Sequence, residues 1–168
     1  MKRIYDAITA AIQGNAAQFD LMGVRPPETL DIHLGQELNP EEFEFALPAM
    51  FYDYSIDYTA EYLYVYLYVI QEFEDDTENF AANRENGEKF FDFLTALKRC
   101  INGAKATGKA FGKLRLYQEQ PQQNPDFYCH LITLRCTYRW ELDEDLIPET
   151  PKQQYTLVLK KGRLRDSD

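Results

Sequence analysis

The amino-acid sequence predicts an α+β domain in which two helices pack on one face of a mainly antiparallel sheet. Three observations lead to this prediction. The chain has 168 residues, a length typical of one domain. Apolar residues recur at helical spacing in two segments and at every second position in several others. Aromatic residues make up 14% of the chain, a composition that favours sheet surfaces over long exposed helices.

Two segments carry the helical pattern. The first, residues 2–13, is expected to end at Gly14, because glycine is unfavourable inside a helix. Its apolar stripe consists of Ile4, Ile8, Ala11 and Ile12. The second helix is expected over residues 86–102, with Lys98 and Arg99 placed favourably at the negative end of its dipole. Its apolar stripe consists of Phe90, Leu94, Leu97 and Ile101, widened by Phe93 and Cys100.

Strands are predicted where side-chain character alternates from one residue to the next. In chain order they cover residues 30–34, 49–58, 61–73, 113–119 and 127–141. Two prolines exclude a helix or central strand from residues 23–29, and residues 121–125 are expected to form a polar turn. One face of the last strand is expected to carry Tyr128, His130, Ile132, Leu134, Cys136, Tyr138 and Trp140.

The clearest strand pattern lies in residues 61–73, where tyrosine and aliphatic side chains alternate. One predicted face consists of Leu63, Val65, Leu67 and Val69, and it belongs to the core. The other face consists of Tyr62, Tyr64, Tyr66 and Tyr68. Tyrosines combine an apolar ring with a polar hydroxyl, so this face is either the outer surface of the sheet or an assembly surface.

Composition divides the chain into a domain and an extension. Residues 1–142 are expected to form a single domain, and residues 143–168 a C-terminal extension. The beginning of the extension, residues 143–153, is acidic and contains prolines, as linkers do. Residues 155–161 alternate well enough to form a further strand.

The net charge of the chain is −10, and it is distributed unevenly. Residues 1–80 contain 3 basic and 16 acidic residues, which gives −13, whereas residues 81–168 contain 15 and 12, which gives +3. Such an acidic chain is poorly suited to nucleic acid, and sequence-specific binding is not expected. The unequal halves favour contact between copies of the chain, acidic surface against basic surface.

The basic residues of the second half are concentrated in one segment. They are Lys98, Arg99, Lys105, Lys109, Lys113 and Arg115. Three interpretations fit this segment: a solvated helix end, a surface that contacts phosphates, or a surface that contacts another protein.

No catalytic residue, metal site or cofactor is expected. The histidines, His33 and His130, are far apart in the chain, and Cys129 and His130 are neighbours on a strand, so their side chains point to opposite faces. Asp53 and Asp57 share a strand face without a neighbouring histidine or nucleophile, which indicates surface carboxylates. The sequence contains no phosphate-binding loop, dinucleotide fingerprint, nucleophile elbow or zinc-protease motif.

Cysteine usage and hydropathy indicate the compartment. Three cysteines without a CxxC pair are typical of free thiols in a reducing environment. The first residues lack the apolar run of a signal peptide, and no stretch reaches the roughly 18 apolar residues that a membrane span needs. We therefore expect a soluble, intracellular protein with no membrane partner.

Several segments of the chain also resemble a known family. Residues 45–54, Phe-Ala-Leu-Pro-Ala-Met-Phe-Tyr-Asp-Tyr, resemble a strand motif of small phage and prophage tail proteins. Residues 69–72, 90–94 and 131–138 agree with the same proteins. The similarity covers residues 30–141, and the order of elements is similar to that of tail terminator and tail-completion proteins of long-tailed phages.

The resemblance implies a structural role in the virion. It implies a ring-forming subunit, often six to a ring, that caps the tail tube and joins it to the head–tail connector protein. The implied partners are further copies of the chain, the tail tube protein and the connector. The implied locations are the bacterial cytoplasm during assembly and then the virion tail. The alternatives are a small-ligand-binding or enzymatic α+β domain of a bacterial cytoplasmic protein, and a dimeric host protein of unrelated function.

Overall fold

The computed structural model describes residues 1–39, 41–72, 84–124 and 126–146, with only the backbone described for residues 84–87. Three helices cover Lys2–Gly14 (α1), Ala17–Leu21 (α2) and Arg84–Ile101 (α3). Five strands cover Thr29–Ile32 (β1), Ala49–Asp57 (β2), Tyr62–Glu72 (β3), Arg115–Gln122 (β4) and Phe127–Thr137 (β5). Short 3₁₀ turns cover Gln36–Leu38 and Trp140–Leu142.

The strands form one sheet in the order β1-β2-β3-β5-β4. Only the β1–β2 pair is parallel in this sheet, and the other three pairs are antiparallel. The fold is therefore α+β with a mainly antiparallel sheet, as the sequence predicts. Among the described residues, β1 and β4 are the two edges of this sheet, so segments that are distant in the sequence lie on opposite sides of it.

The core lies between the helices and one face of the sheet. The aliphatic side chains of β3 are completely buried there, together with Ile4 and Ile8 of α1 and Leu97 of α3. These are the faces that helical and alternating periodicity predict, because a helix and a sheet each bury one apolar surface. A smaller cluster on the opposite sheet face consists of Ala49, Phe51, Ile70 and Cys129, with Phe45, Leu47, Tyr68 and Phe127 packed against it.

The third helix, α2, was not predicted from the sequence. It is only five residues long and leaves too few positions for a helical pattern. Its Phe19 is completely buried, with its ring 5.8 Å from that of Phe93 on α3. The expected pair of helices is thus corrected to three, all packed through the same core.

The last strand ends earlier than its sequence pattern predicts. β5 stops at Thr137 rather than at residue 141, because the N–H of Arg139 donates to the carbonyl of Ala110, outside the ladder. Trp140 therefore lies in a 3₁₀ turn, half exposed, and not on the buried face of a strand. Pro121 was expected in a turn but lies inside β4. An edge strand tolerates proline because the backbone N–H groups on its outer side have no strand to donate to.

Asp143 and Asp145, which follow the expected domain boundary at residue 142, make contacts with the domain. The Tyr138 hydroxyl donates to Asp143 Oδ2 at 2.6 Å, and both groups are buried. Arg3 of α1 lies 3.7 Å from the Asp143 carboxylate and 2.6 Å from that of Asp145. The residues that composition assigns to the beginning of a linker therefore hold α1 against the end of β5. The strand expected over residues 155–161 lies outside the described residues.

The three cysteines are unpaired and buried. Burial raises the pKa of the Cys129 thiol from 9.0 to about 12, with a smaller contribution from Glu37. Burial likewise raises the pKa of Cys136 to about 11, although a hydrogen bond from the Gly112 backbone opposes it. Within the described ranges, no helix has the length and hydropathy needed to span a bilayer.

The raised pKa values of Cys129 and Cys136 predict that the folded chain loses stability in alkaline solution. Below about pH 9 both folded and unfolded chains keep the thiol protons; as the pH rises above 9, only the unfolded chain releases them. The free energy of unfolding should therefore fall by about 2 kcal/mol between pH 9 and pH 10, roughly 1 kcal/mol for each thiol. Urea denaturation at pH 8, 9 and 10 under reducing conditions measures it. Cys129→Ala should remove roughly 1 kcal/mol of this fall, whereas equal stability at all three pH values contradicts the prediction.

Candidate assembly surface

The sheet face opposite the helices carries the tyrosine row, which we call the tyrosine face: Tyr62, Tyr64, Tyr66 and Tyr68. Each of these side chains is partly exposed, whereas the aliphatic residues between them are completely buried. The predicted alternation along β3 is thus present in the structure. The tyrosine face is a sheet surface that no helix covers within the described residues.

Arg135 of β5 organises one end of the tyrosine face. Its guanidinium carbon lies 4.5 Å from the ring centroid of Tyr62 and 4.6 Å from that of Tyr117. Tyr117 reaches this position because the β4–β5 register shifts between Leu116 and Gln118, and such an irregularity redirects a side chain. Cation–π contacts on two rings hold the arginine in place. Arg135 and Tyr117 were not predicted as site residues, because a register shift between two strands leaves no local signal in the sequence.

The rest of the row is also held by neighbours. The Tyr64 ring lies 5.6 Å from that of Tyr117, edge to face, and the Tyr66 hydroxyl shares a 2.9 Å hydrogen bond with Ser55. An open groove of about 310 Å³ runs between these residues and Thr133. Because the rings are already fixed, little side-chain entropy would be lost when another molecule packs on them.

A loop from β1 covers the other end of the row. The His33 ring stacks on Tyr68 with centroids 3.8 Å apart, and its Nε2 lies 3.0 and 3.1 Å from the two carboxylate oxygens of Glu37. The Asn124 side chain donates to the Glu37 carbonyl at 2.7 Å, which ties this loop to the β4–β5 turn. Tyr68 is therefore partly covered, and the exposed part of the tyrosine face is its Tyr62–Tyr66 end.

A cavity of about 270 Å³ lies beneath this loop and includes Cys129 in its lining. Its lining also includes His33, Glu37 and His130. Burial raises the pKa of the Cys129 thiol to about 12, which disfavours the reactive thiolate form. The His33–Glu37 pair fixes the loop, and the charge of Glu37 adds to the rise in the Cys129 pKa.

The second histidine lies on the helical side of the sheet. The His130 ring meets Phe90 of α3 edge to face at 6.4 Å, and burial lowers its pKa, which favours the neutral imidazole. Its Nε2 is buried and has no hydrogen-bond partner among the described residues. His130 is thus a packed ring, and Cys129 points to the other face of the sheet, as strand alternation predicts.

The predicted basic residues lie at the end of α3, in the connection to β4 and at the start of β4, and we call this group the basic edge. Lys98 is the partly buried member, and its ammonium donates to Glu119 of β4 at 2.8 Å. The exposed members are Arg99, Lys105, Lys109, Lys113 and Arg115. Lys105 and Lys113 lie opposite each other in a backbone bridge, and Arg115 lies opposite Arg135. Arg115 therefore shares a sheet face with Arg135 and the tyrosine face, whereas the other cations lie in the last turn of α3 and in the connection from α3 to β4.

Acidic residues flank the opposite edge strand, β1. The exposed ones in or near it are Glu28, Asp31, Glu41, Glu42 and Glu44. Beside them, three large aliphatic side chains are exposed to solvent: Ile32 by 59%, Leu34 by 68% and Leu38 by 68%. We call these three residues with Asp31 the β1 corner. Exposed acidic residues thus lie in and near β1, whereas β4 carries one cation, Arg115, and one acid, Glu119, and the other exposed cations precede it.

The expected surface carboxylates have structural partners. Asp53 accepts from the N–H of Tyr54, and Asp57 accepts from those of Thr59 and Ala60 in the β2–β3 turn. Over the described ranges, no group of three or more His, Cys, Asp or Glu side chains is placed to hold a metal ion. No protein-family model and no curated protein matches this chain.

Proposed function

We propose that this chain is a structural phage or prophage protein that forms a ring, caps the tail tube and joins it to the head–tail connector. The observation that carries the proposal is the separation of exposed acidic residues beside β1 from exposed basic residues at the end of α3 and in its connection to β4. A surface that attracts a different surface on the next copy makes head-to-tail contacts, and such contacts close into a ring when the rotation permits. The resemblance of residues 30–141 to tail terminator proteins supplies the biological setting.

The net charge supports the same role. Each subunit carries −10, so a ring of subunits is strongly acidic overall. An acidic lumen repels the phosphate backbone, which allows DNA to pass without adhering. The tyrosine face then provides a rigid aromatic surface for the tail tube or for the neighbouring subunit, because tyrosine is enriched in protein interfaces.

The deciding experiment adds the purified chain to growing tail tubes and measures tube length by electron microscopy. We expect tubes of limited length that carry a ring at one end. Tubes that elongate without limit and never acquire a ring would contradict the proposal. A monomer in dilute solution would not, because the tube end acts as a template that raises the local concentration of subunits.

The cavity beneath the residue 33–39 loop favours a second candidate, a small-ligand-binding domain. Its His33–Glu37 pair and the Asn124 amide offer polar groups in a partly apolar recess, as ligand sites do. This candidate predicts a chain that stays monomeric at high concentration and leaves tube length unchanged.

A further inference from the structure

The tyrosine face has charges of opposite sign on its two sides. Residues that pair across neighbouring strands project from the same face of a sheet. On the β2 side, Asp53 and Asp57 each pair with a tyrosine of β3. On the other side, Arg135 of β5 pairs with Tyr64, and Arg115 of β4 pairs with Arg135. The tyrosine row thus lies between two carboxylates and two guanidinium groups.

None of these four charges forms an ion pair with another described residue. Asp53 and Asp57 accept hydrogen bonds from nearby backbone N–H groups, which leaves their charge in place. Glu119, the acid of β4, projects from the helical face of the sheet and pairs with a lysine of α3 instead. Like charges directly opposite each other destabilise a sheet, so the Arg115–Arg135 pair lacks an anion. Both sides of the face are therefore available to a partner.

A second copy of the tyrosine face is complementary to both sides at once. Sheets that pack face to face lie about 10 Å apart with their strands roughly aligned, and tyrosine and arginine side chains fill such a gap. A twofold axis along β3 places the β2 side of each copy over the β5 side of the other, so opposite charges meet twice. A twofold axis across the strands places β2 over β2, so like charges meet instead. The charge pattern therefore selects the first arrangement.

We propose that two copies of this chain pair through their tyrosine faces about a twofold axis along β3, with Arg135 of each copy between Asp53 and Asp57 of the other. The surface is prepared for this contact, because two tyrosine rings hold Arg135 in place and a hydrogen bond holds Tyr66. The open face spans only four strands, so the interface is small and the dimer should be reversible. The inference goes beyond the proposed function, since this contact lies on the sheet face and does not depend on ring formation.

A charge exchange tests this pairing. In one variant, Asp53→Lys with Asp57→Asn makes the acidic side basic, and the asparagine retains an acceptor for the N–H groups of the β2–β3 turn. In the other variant, Arg135→Glu makes the basic side acidic. Each variant alone should raise the dimer dissociation constant about 30-fold in sedimentation equilibrium, because attraction is lost or reversed at both contacts. An equimolar mixture should recover to within about threefold of the unmodified chain, because opposite charges then meet at both contacts.

Arg25→Glu is the matched control for Arg135→Glu. It makes the same charge change at the other end of β3, where Arg25 pairs with Glu28. Alone, it should leave the dimer dissociation constant unchanged. Mixed with the Asp53→Lys, Asp57→Asn variant, it should give no more dimer than the unmodified chain gives in the same mixture. Circular dichroism shows that each variant is folded, and two folded variants whose mixture stays monomeric would overturn the inference.

Cross-linking locates the axis. The native cysteines are buried, and Tyr64 lies on the proposed axis, so Tyr64→Cys with a short bis-maleimide should give dimers and no longer ladder. Leu21→Cys, exposed on α2, should give no dimer. Capped tubes without the Tyr64→Cys dimer would overturn this inference and leave the proposed function standing, whereas dimers without caps would do the reverse. A monomer that binds a single-stranded oligonucleotide through Arg135 would also overturn the inference, since the face would then be a stacking platform for bases.

Discussion

Replacement of Leu94 by alanine is expected to lower the free energy of unfolding by about 2–5 kcal/mol. Leu94 is only 3% exposed and lies in the core cluster with the buried side chains of β3 and β5. α3 connects β3 to β4 and packs against both α1 and α2, so its buried face joins several elements. The truncation removes apolar contacts and leaves a cavity that a closely packed interior fills only in part.

Urea denaturation followed by far-ultraviolet circular dichroism measures this change. The matched control is Phe91→Ala in the same helix, because Phe91 is 67% exposed and contributes little to the core. Its unfolding free energy should stay within about 0.5 kcal/mol of the unmodified chain. If Leu94→Ala unfolds at the same urea concentration as the unmodified chain, α3 does not belong to the core.

The elements with strong periodicity were predictable from the sequence. α1, β3 and α3 each repeat apolar residues over enough positions to fix both the type of structure and the buried face. β5 follows the same rule until Thr137, where tertiary hydrogen bonds redirect the chain. Periodicity shows which side of a helix or strand is apolar. It does not show where a strand ends because its backbone groups bond to a loop instead of to the neighbouring strand.

Strand order and the position of the β1 corner could not be predicted in this way. The sheet places β1 and β4 at opposite edges, and this arrangement depends on pairings between residues that are distant in the sequence. Ile32 and Leu34 have the side chains of a buried strand, yet both are exposed. Of the candidate surface, the tyrosine row and the basic segment were visible in the sequence. The Arg135 contact with Tyr62 and Tyr117 requires the β4–β5 register.

Reversal of two charges at the basic edge, Lys105→Glu with Lys109→Glu, is expected to weaken ring formation and capping. Both lysines are exposed, so the change leaves the core intact. It alters the charge of the basic edge by −4 and turns attraction toward the acidic β1 side of the next copy into repulsion. An exposed charge contact contributes about 0.5 kcal/mol. Each of the two substitutions removes one attraction and adds one repulsion of that size, so the cost is about 2 kcal/mol for each subunit contact. The concentration for half-maximal capping should rise about 30-fold at low salt.

Salt and a matched control show whether charge contacts between subunits cause this defect. The difference between the reversed and unmodified chains should shrink to a few-fold at about 0.5 M salt, where the screening length falls to roughly 4 Å. Lys2→Glu with Arg25→Glu makes the same −4 change in the acidic half, at exposed residues that form surface ion pairs with Asp6 and Glu28. That control makes the same charge change without altering a residue of the basic edge, so it should maintain or strengthen capping at low salt. If both double variants weaken capping equally, total charge and not the pairing of opposite edges governs assembly, and the head-to-tail arrangement is wrong.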